Sequence, residues 1–324
     1  MQLRDALLYA LESHRGEDLS GQALAAWLGV SRNAVWKAVE SLRSDGYDIR
    51  SAPRRGYRLA DSTDRISAAG LRAALGERGC SCEVFCYDVI DSTNSEAKRL
   101  LAAGLSGDAL LAAEQQTGGR GRRGRSFYSP AETGVYFSLV LHPKGDASDL
   151  ISLTAAAAVA VVRATERYSD AAPKIKWVND VYLGDRKIAG ILTEAVTGLE
   201  SGTVESVIVG IGLNLSTSGF PEELKETAGA LGALRCTKNQ FIAEIVSELS
   251  GFAAAPAEKS YLADYRRCSL VLGRRVRFFR GDSAFDALAT GIDDHGGLMV
   301  TFDDGTSEVL RSGEITLRLQ DASS

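Results

Sequence analysis

No apolar run in this chain of 324 residues is long enough to cross a bilayer. The most apolar stretch, Leu150 to Val162, falls short of the ~20 residues a spanning helix needs and reads as a buried helix. A signal-peptide core is missing too, because Glu12, His14 and Arg15 break up Leu7, Leu8 and Leu11. Five cysteines is an odd number, which does not fit a complete disulfide framework. With no export signal, reduced thiols and a cytoplasmic location are expected. Cys80, Cys82 and Cys86 stand close together but form no C-x-x-C pair and have no histidine nearby, so they do not make a metal set. Gly-Lys-Ser/Thr follows none of the glycine clusters, which excludes a Walker A loop. What remains is ordinary globular composition, 45% hydrophobic and 24% charged, in a length that suggests two or three domains.

The charge is unevenly spread. Between Ser31 and Leu59, Arg32, Lys37, Arg43, Arg50, Arg54, Arg55 and Arg58 outnumber Glu40, Asp45 and Asp48, a local excess of +4 in a chain of net charge −5. A basic island on an acidic protein is the footprint of a local nucleic-acid contact. Apolar positions recur at helical spacing from Leu3 to Leu11. Ser20 caps a second helix whose buried side is read as Leu24, Ala25, Trp27 and Leu28, and Ser31 caps a third reaching about Arg43. This is a helix-turn-helix, with Arg32, Asn33, Trp36 and Lys37 turned outward toward a major groove. Tyr47 to Ser51 and Gly56 to Leu59 alternate as the strands of a wing, with Arg54 and Arg55 at its tip; a bundle used only for dimerisation is the alternative.

Past a polar linker at Asp61–Asp64, a strand from Cys82 to Val89 runs into Ile90-Asp91-Ser92-Thr93-Asn94, where Asp91 or Ser92 caps a helix to about Ala103. The densest chemistry lies in Gly118-Gly119-Arg120-Gly121-Arg122-Arg123-Gly124-Arg125. Glycines let the backbone approach an anion, and guanidinium forks fit carboxylate and phosphate oxygens. Four adjacent guanidiniums repel one another, so a loop that is disordered or strained without a ligand and closes on a phosphorylated one is expected. An RGG-type RNA-binding segment is the alternative, but Ala109–Ala113 and Gly134–Leu141 read as flanking strands of a folded sheet. After the apolar helix to Tyr168, Lys174 to Leu183 reads as one strand interrupted by Asn179-Asp180, with Arg186 to Glu194 as its hairpin partner. Lys187, next to apolar Ile188 and Ala189, is either a snorkelling edge residue or a functional cation. Gly210-Ile211-Gly212-Leu213-Asn214 ends a further strand; its glycines admit a flat ligand, and with no helix after them they are not a dinucleotide fingerprint. An amphipathic helix from Thr237 to Phe252 and a second ending near Arg267 precede short alternating strands from Leu270, including Ile315 to Leu319, which suggest a small β-barrel.

In this order, Asp91-Ser92-Thr93-Asn94, Gly119-Arg120-Gly121-Arg122-Arg123-Gly124, Lys176-Trp177-Val178-Asn179-Asp180, Lys187-Ile188-Ala189-Gly190-Ile191-Leu192 and Gly210-Ile211-Gly212-Leu213-Asn214 resemble the biotin protein ligases. With the N-terminal winged helix, the whole chain is similar to their bifunctional biotin operon repressor type. The resemblance implies an α+β multidomain protein: a winged helix-turn-helix (1–62), a class II synthetase-like mixed α/β catalytic domain (63–269) and an SH3-like β-barrel (270–324). It implies adenylation of biotin by ATP to biotinyl-5′-AMP, with Mg²⁺ on the phosphates and no metal ligand set in the chain, then transfer to a lysine of a biotin carboxyl carrier protein. Carried over by residue, Ser92, Thr93, Asn94 and Gln116 hold the biotin head group. Arg120, Gly121 and Arg122 clamp carboxylate and phosphate, Lys187 is the cation at the new acyl phosphate, and Asn179, Asp180 and Asn214 lie near the nucleotide. Lys187, Arg122 and Arg120 are the catalytic assignments. The resemblance further implies operator DNA as a partner and a homodimer when the adenylate is bound. Val178 stands where the motif commonly has proline, and Gly118-Gly119 makes the loop entry more flexible than usual. Lipoate ligation, or small-molecule sensing without turnover, are the rival readings.

Overall fold

The structure, a computed structural model, describes residues 2–52, 55–142, 150–198, 203–280, 282–311 and 315–317. It begins with α1 (Leu3–Ser13), α2 (Gly21–Leu28), α3 (Arg32–Ser44) and the paired strands β1 (Ile49–Ala52) and β2 (Gly56–Leu59). Serine caps start the second and third helices: Ser20 Oγ accepts from Ala23 N at 3.0 Å and Ser31 Oγ from Ala34 N at 3.2 Å. Gly29, at φ +67°, ends α2 and turns the chain into α3. Leu7, Leu11, Val35, Val39, Leu42 and Leu59 form the core, each contributing about 1.5–3 kcal/mol by its burial. Trp27 does not join them. It is 59% exposed, because at about 100° per residue it falls roughly 60° outside the arc that Leu24, Ala25 and Leu28 share.

The central unit comprises α4 (Ala68–Gly76), β3 (Glu83–Ile90), α5 (Thr93–Ala102), β4 (Ala109–Gln116), β5 (Gly134–Leu141), α6 (Leu150–Tyr168), β6 (Lys174–Lys176), β7 (Asp180–Leu183), β8 (Arg186–Thr197), β9 (Val204–Asn214), α7 (Lys238–Ala254) and α8 (Leu262–Arg267). The strands form one seven-stranded mixed sheet in the order β3-β4-β5-β9-β8-β7-β6, with only β3 and β4 parallel. Alternate residues face opposite sides. Leu110, Ala112, Phe137 and Val209 pack with α4, α6 and α7, while Leu111, Val140 and Ile208 pack under α5 through Ala97 and Leu100.

The stretch from Lys174 to Leu183 is not one strand. The chain turns at Trp177–Asn179, where the Trp177–Val178 peptide is cis, and β6 pairs back on β7. Side-chain and backbone bonds hold the turn: Trp177 Nε1 donates to Gly296 O at 2.9 Å, Asn179 Nδ2 donates to Ile191 O (2.8 Å), and the Ile191 backbone N–H donates to the Asn179 backbone carbonyl (2.9 Å).

The linker that leaves β2 is held on both sides. Thr63 O accepts from Arg15 Nη2 (2.9 Å), while Asp64, Ile66 and Ser67 bond to Lys238 N, Glu114 and Asn239. Lys238, on α7, also reaches buried Glu114 (3.3 Å) and Glu132 O (2.9 Å). Finally β10 (Arg275–Arg280), β11 (Ser283–Ile292), β12 (Leu298–Thr301), β13 (Ser307–Leu310) and β14 (Ile315–Leu317) form an antiparallel sheet ordered β13-β12-β11-β10-β14. This is the small antiparallel β domain expected; among the described residues β13 and β14 are the ends of its pairing order, and Leu319 lies outside them.

Candidate active site

Ser92, Thr93, Asn94, Gln116, Arg120, Gly121, Arg122, Asn179, Asp180, Lys187 and Asn214 all line one cavity of about 400 Å³, between the N-terminus of α5, the β4–β5 loop and strands β7–β9. Ser92, not Asp91, caps α5, accepting from Ser95 N at 3.5 Å. The Gln116 amide is oriented by two partners: its Oε1 accepts from Thr93 N (2.9 Å) and its Nε2 donates to Ser129 Oγ (2.9 Å). Asn94 donates through Nδ2 to Glu194 Oε2 (2.9 Å) and Leu192 O (3.3 Å), and its Oδ1 accepts from Ser138 Oγ (2.6 Å).

The Gly/Arg loop is folded rather than disordered. Gly121 N donates to Arg125 O (2.7 Å), Phe127 N to Gly119 O (2.9 Å), and Arg122–Gly124 form a single 3-10 turn with Arg123 at φ 54°. Arg122 Nη1 donates to Asn179 Oδ1 (3.2 Å), Arg120 Nη2 lies 3.8 Å from Glu194, and Lys187 Nζ lies 2.7 Å from Asp180 Oδ1. Lys187 is therefore a cation facing the cavity, not an edge residue directed to solvent. Asn214 Nδ2 donates to Gly229 O (3.1 Å), while its buried Oδ1 has no hydrogen-bond partner among the described residues.

The wall is strongly cationic. Arg120, Arg122, Arg125, Lys176 and Lys187 face a single carboxylate, Asp180, among the described residues. Burial, with the Asp180 charge adding to it, pushes the Tyr182 hydroxyl up to about 12. Burial alone would raise the Glu194 carboxyl, but hydrogen bonds from Lys98 and Asn94 and the nearby cations outweigh it and hold it below the ordinary glutamate value.

The glycines of β9 act differently from expectation. Side chains of the protein, not a flat ligand, lie on them: a methyl at Gly210 would collide with Asn94 Oδ1, and one at Gly212 with the Phe127 ring. Several lining residues escaped the sequence reading. Lys176 belongs to a motif already noted, so it was within reach. Phe220 lies in the segment after Asn214 that the family resemblance sets over the nucleotide, whereas Tyr128, whose ring centroid is 6.2 Å from that of Phe220, and Ile315 of β14 reach the cavity only through the fold.

On the winged helix, Arg32, Asn33, Trp36 and Lys37 are exposed along α3. Arg55 is exposed too but paired to Asp18 at 2.6 Å, and Arg54 lies outside the described residues.

A cationic cavity at the end of a mixed sheet suits a carboxylate or phosphate ligand, and the helix-turn-helix ahead of it suits a nucleic-acid contact. Three family models match in that order: "HTH domain" at residues 4–58, "Biotin/lipoate A/B protein ligase family" at 86–214 and "Biotin protein ligase C terminal domain" at 271–318. The chain is 33% identical over 321 residues to the bifunctional ligase/repressor BirA of Bacillus subtilis, covering 95% of this chain and 96% of that one. To its Escherichia coli counterpart it is 30% identical over 309 residues, covering 94% of each. The biotin protein ligase of Aquifex aeolicus, solved in complex with biotin and ATP, superposes with a TM-score of 0.62 at 28% identity over 74% of this chain and 99% of that one. The chain belongs to the biotin protein ligases, in their bifunctional ligase/repressor form.

Proposed function

We infer that this chain is an ATP-dependent biotin–[acetyl-CoA-carboxylase] ligase that also serves as a repressor, built as units 1–62, 63–269 and 270–324. The observation that carries the reading is the concentration of five cations around one carboxylate in a cavity of an otherwise acidic chain. Joining biotin to ATP brings two anions together, and fixed cations lower that barrier by positioning and by stabilising the developing charge. A biotin carboxylate oxygen attacks the α-phosphorus, forming the acyl phosphate bond as pyrophosphate leaves. The ε-amine of a carrier-protein lysine then attacks the acyl carbon, AMP departs, and the amine loses its proton.

Ser92, Thr93, Asn94 and Gln116 take the head group, and Arg120, Gly121 and Arg122 the carboxylate and α-phosphate. Lys187 stands at the new acyl phosphate, and Asn179, Asp180 and Asn214 toward the nucleotide. The buried, unpartnered Asn214 Oδ1 fits a ligand N–H. Asp180, the one lining carboxylate among the described residues, fits a Mg²⁺ that arrives with ATP, since that ion binds through one or two carboxylates and the phosphates. It would supply neutralisation of phosphate charge. Loop closure shields the adenylate from water. With the adenylate bound, a homodimer presents two winged helices to operator DNA. Incubation with biotin, ATP, Mg²⁺ and a biotin carboxyl carrier domain should release pyrophosphate and label one acceptor lysine, and lipoate should do neither. No release with biotin would overturn the reading.

A further inference from the structure

Tyr265 does not line the cavity, yet its hydroxyl supports the turn that carries Asn179 and Asp180 into it. The side chain is 1% exposed, and its Oη donates to the Val178 carbonyl at 3.0 Å. Burial raises the hydroxyl above the ordinary tyrosine value, so it stays protonated and able to donate. Its support is stiff. On α8, Asp264 and Arg267 are paired to Arg163 and Glu166 of α6 at 2.7 and 3.1 Å. The end of the helix is tied to β6, where Ile175 N donates to Cys268 O at 2.7 Å.

The Val178 carbonyl belongs to the planar peptide that enters Asn179, so holding it sets the direction in which Asn179 leaves the turn. Asn179 is then fastened to β8 twice: its carbonyl accepts from Ile191 N (2.9 Å) and its Nδ2 donates to Ile191 O (2.8 Å). A carbonyl only accepts and a guanidinium only donates, so both neighbours turn the Asn179 amide the same way. Its oxygen faces Arg122, whose Nη1 lies 3.2 Å away. The next residue, Asp180, lies 2.7 Å from Lys187 Nζ. One short turn thus touches both of the cations assigned to the chemistry. We propose that Tyr265 is a positioning residue for adenylation, which from behind the cavity fixes the peptide ahead of Asn179-Asp180 and through them the places of Arg122 and Lys187.

The inference rests on the biotin-activating reading and adds what keeps its cations in register. Stabilisation of developing charge depends on groups already in place when the reaction begins, so a small displacement is costly. The residues given to the head group sit at the start of α5 and on β4, not on this turn. Loss of the hydroxyl should therefore separate rate from biotin binding.

Tyr265→Phe keeps the ring and removes only the hydroxyl. The single-turnover rate of adenylate formation from biotin and MgATP, per biotin-binding site counted by calorimetry, should fall about tenfold, while the biotin Kd stays within about twofold of the parent. A double-variant cycle tests the route. Once Asn179→Ala has removed one of the two side chains through which Tyr265 acts, Tyr265→Phe should cost only about threefold more, because residues in one network are not additive. A Tyr265→Phe rate within about twofold of the parent, or the full tenfold cost repeated on the Asn179→Ala background, overturns the proposal. So does a loss of biotin-binding sites or affinity in step with the rate, which is what a purely structural tyrosine would give. A parent that forms no adenylate instead sinks the functional reading.

Discussion

Lys187 is the residue on which the chemistry is most concentrated. Its ammonium lies 2.7 Å from Asp180, its side chain is 33% exposed, and its backbone bonds to Thr227 and Gly229 pin the strand to the segment beyond β9. Lys187→Gln keeps the length and removes the charge. Adenylate formation, followed by pyrophosphate release, should slow by about 10²–10³, the usual cost of removing one preorganised electrostatic contact. Biotin affinity measured by calorimetry should move only a few-fold, because the head group is held at the other end. A rate within tenfold of the parent would remove Lys187 from the chemistry. Gly210 makes the opposite demand, for space. Gly210→Ala drives a methyl into the Asn94 amide, so thermal unfolding should show a loss of about 1–3 kcal/mol together with weakened biotin binding. Gly219→Ala, with nothing within 4 Å, serves as the neutral control. The site residues could be read from the chain because their types announce the chemistry. What lies on the glycines could not: that Phe127 rests on Gly212 and Asn94 on Gly210 depends on contacts between distant strands.

At the scale of elements, apolar periodicity was enough to find the helices and most strands, since burial of one face creates the pattern. It failed at Trp177–Asn179, where apolar residues are buried in a turn under the C-terminal sheet and so imitate a strand. It also gave no sign of the clamp at the start of α7. Glu114 and Lys238, each 6% exposed, sit on β4 and α7 and fasten the linker through Ile66 N and the Asp64 carboxylate. Neither sequence neighbourhood hints at the other. Lys238→Met leaves Glu114 as a buried carboxylate without its ammonium partner, and breaking such a pair from one side costs about 3–5 kcal/mol. Urea denaturation should show that loss, and the double variant Glu114→Gln with Lys238→Met should recover most of it, because no unpaired charge then remains. If the single variant matched the parent, the pair would be incidental to stability.

For the molecule as a whole, the charge excess from Ser31 to Leu59 overstates what the winged helix can present to DNA. Arg43 is paired to Glu40, Arg50 to Asp48, and both Arg55 and Arg58 to Asp18. Arg32 and Lys37 are exposed on α3 with no ion pair among the described residues, so among those residues the unspent positive charge lies on the helix. Each phosphate contact by such a cation steepens the dependence of log K on log salt by roughly 0.9. Mobility shifts with promoter DNA from biotin-synthesis genes, run in biotin and ATP over a salt series, should show a slope lowered by about one for Lys37→Ala if that contact goes to phosphate. A twofold site read by a dimer carries each residue twice, so the slope should fall by about two if the adenylate-bound protein binds as the homodimer proposed. Asp18→Asn should act in the other direction, releasing Arg55 and Arg58 and steepening the slope. Biotin transfer to the carrier should be the same in all these variants, since none of the residues touches the cavity. If Asp18→Asn steepened the slope while Lys37→Ala left it unchanged, the wing and not the recognition helix would be the main electrostatic contact.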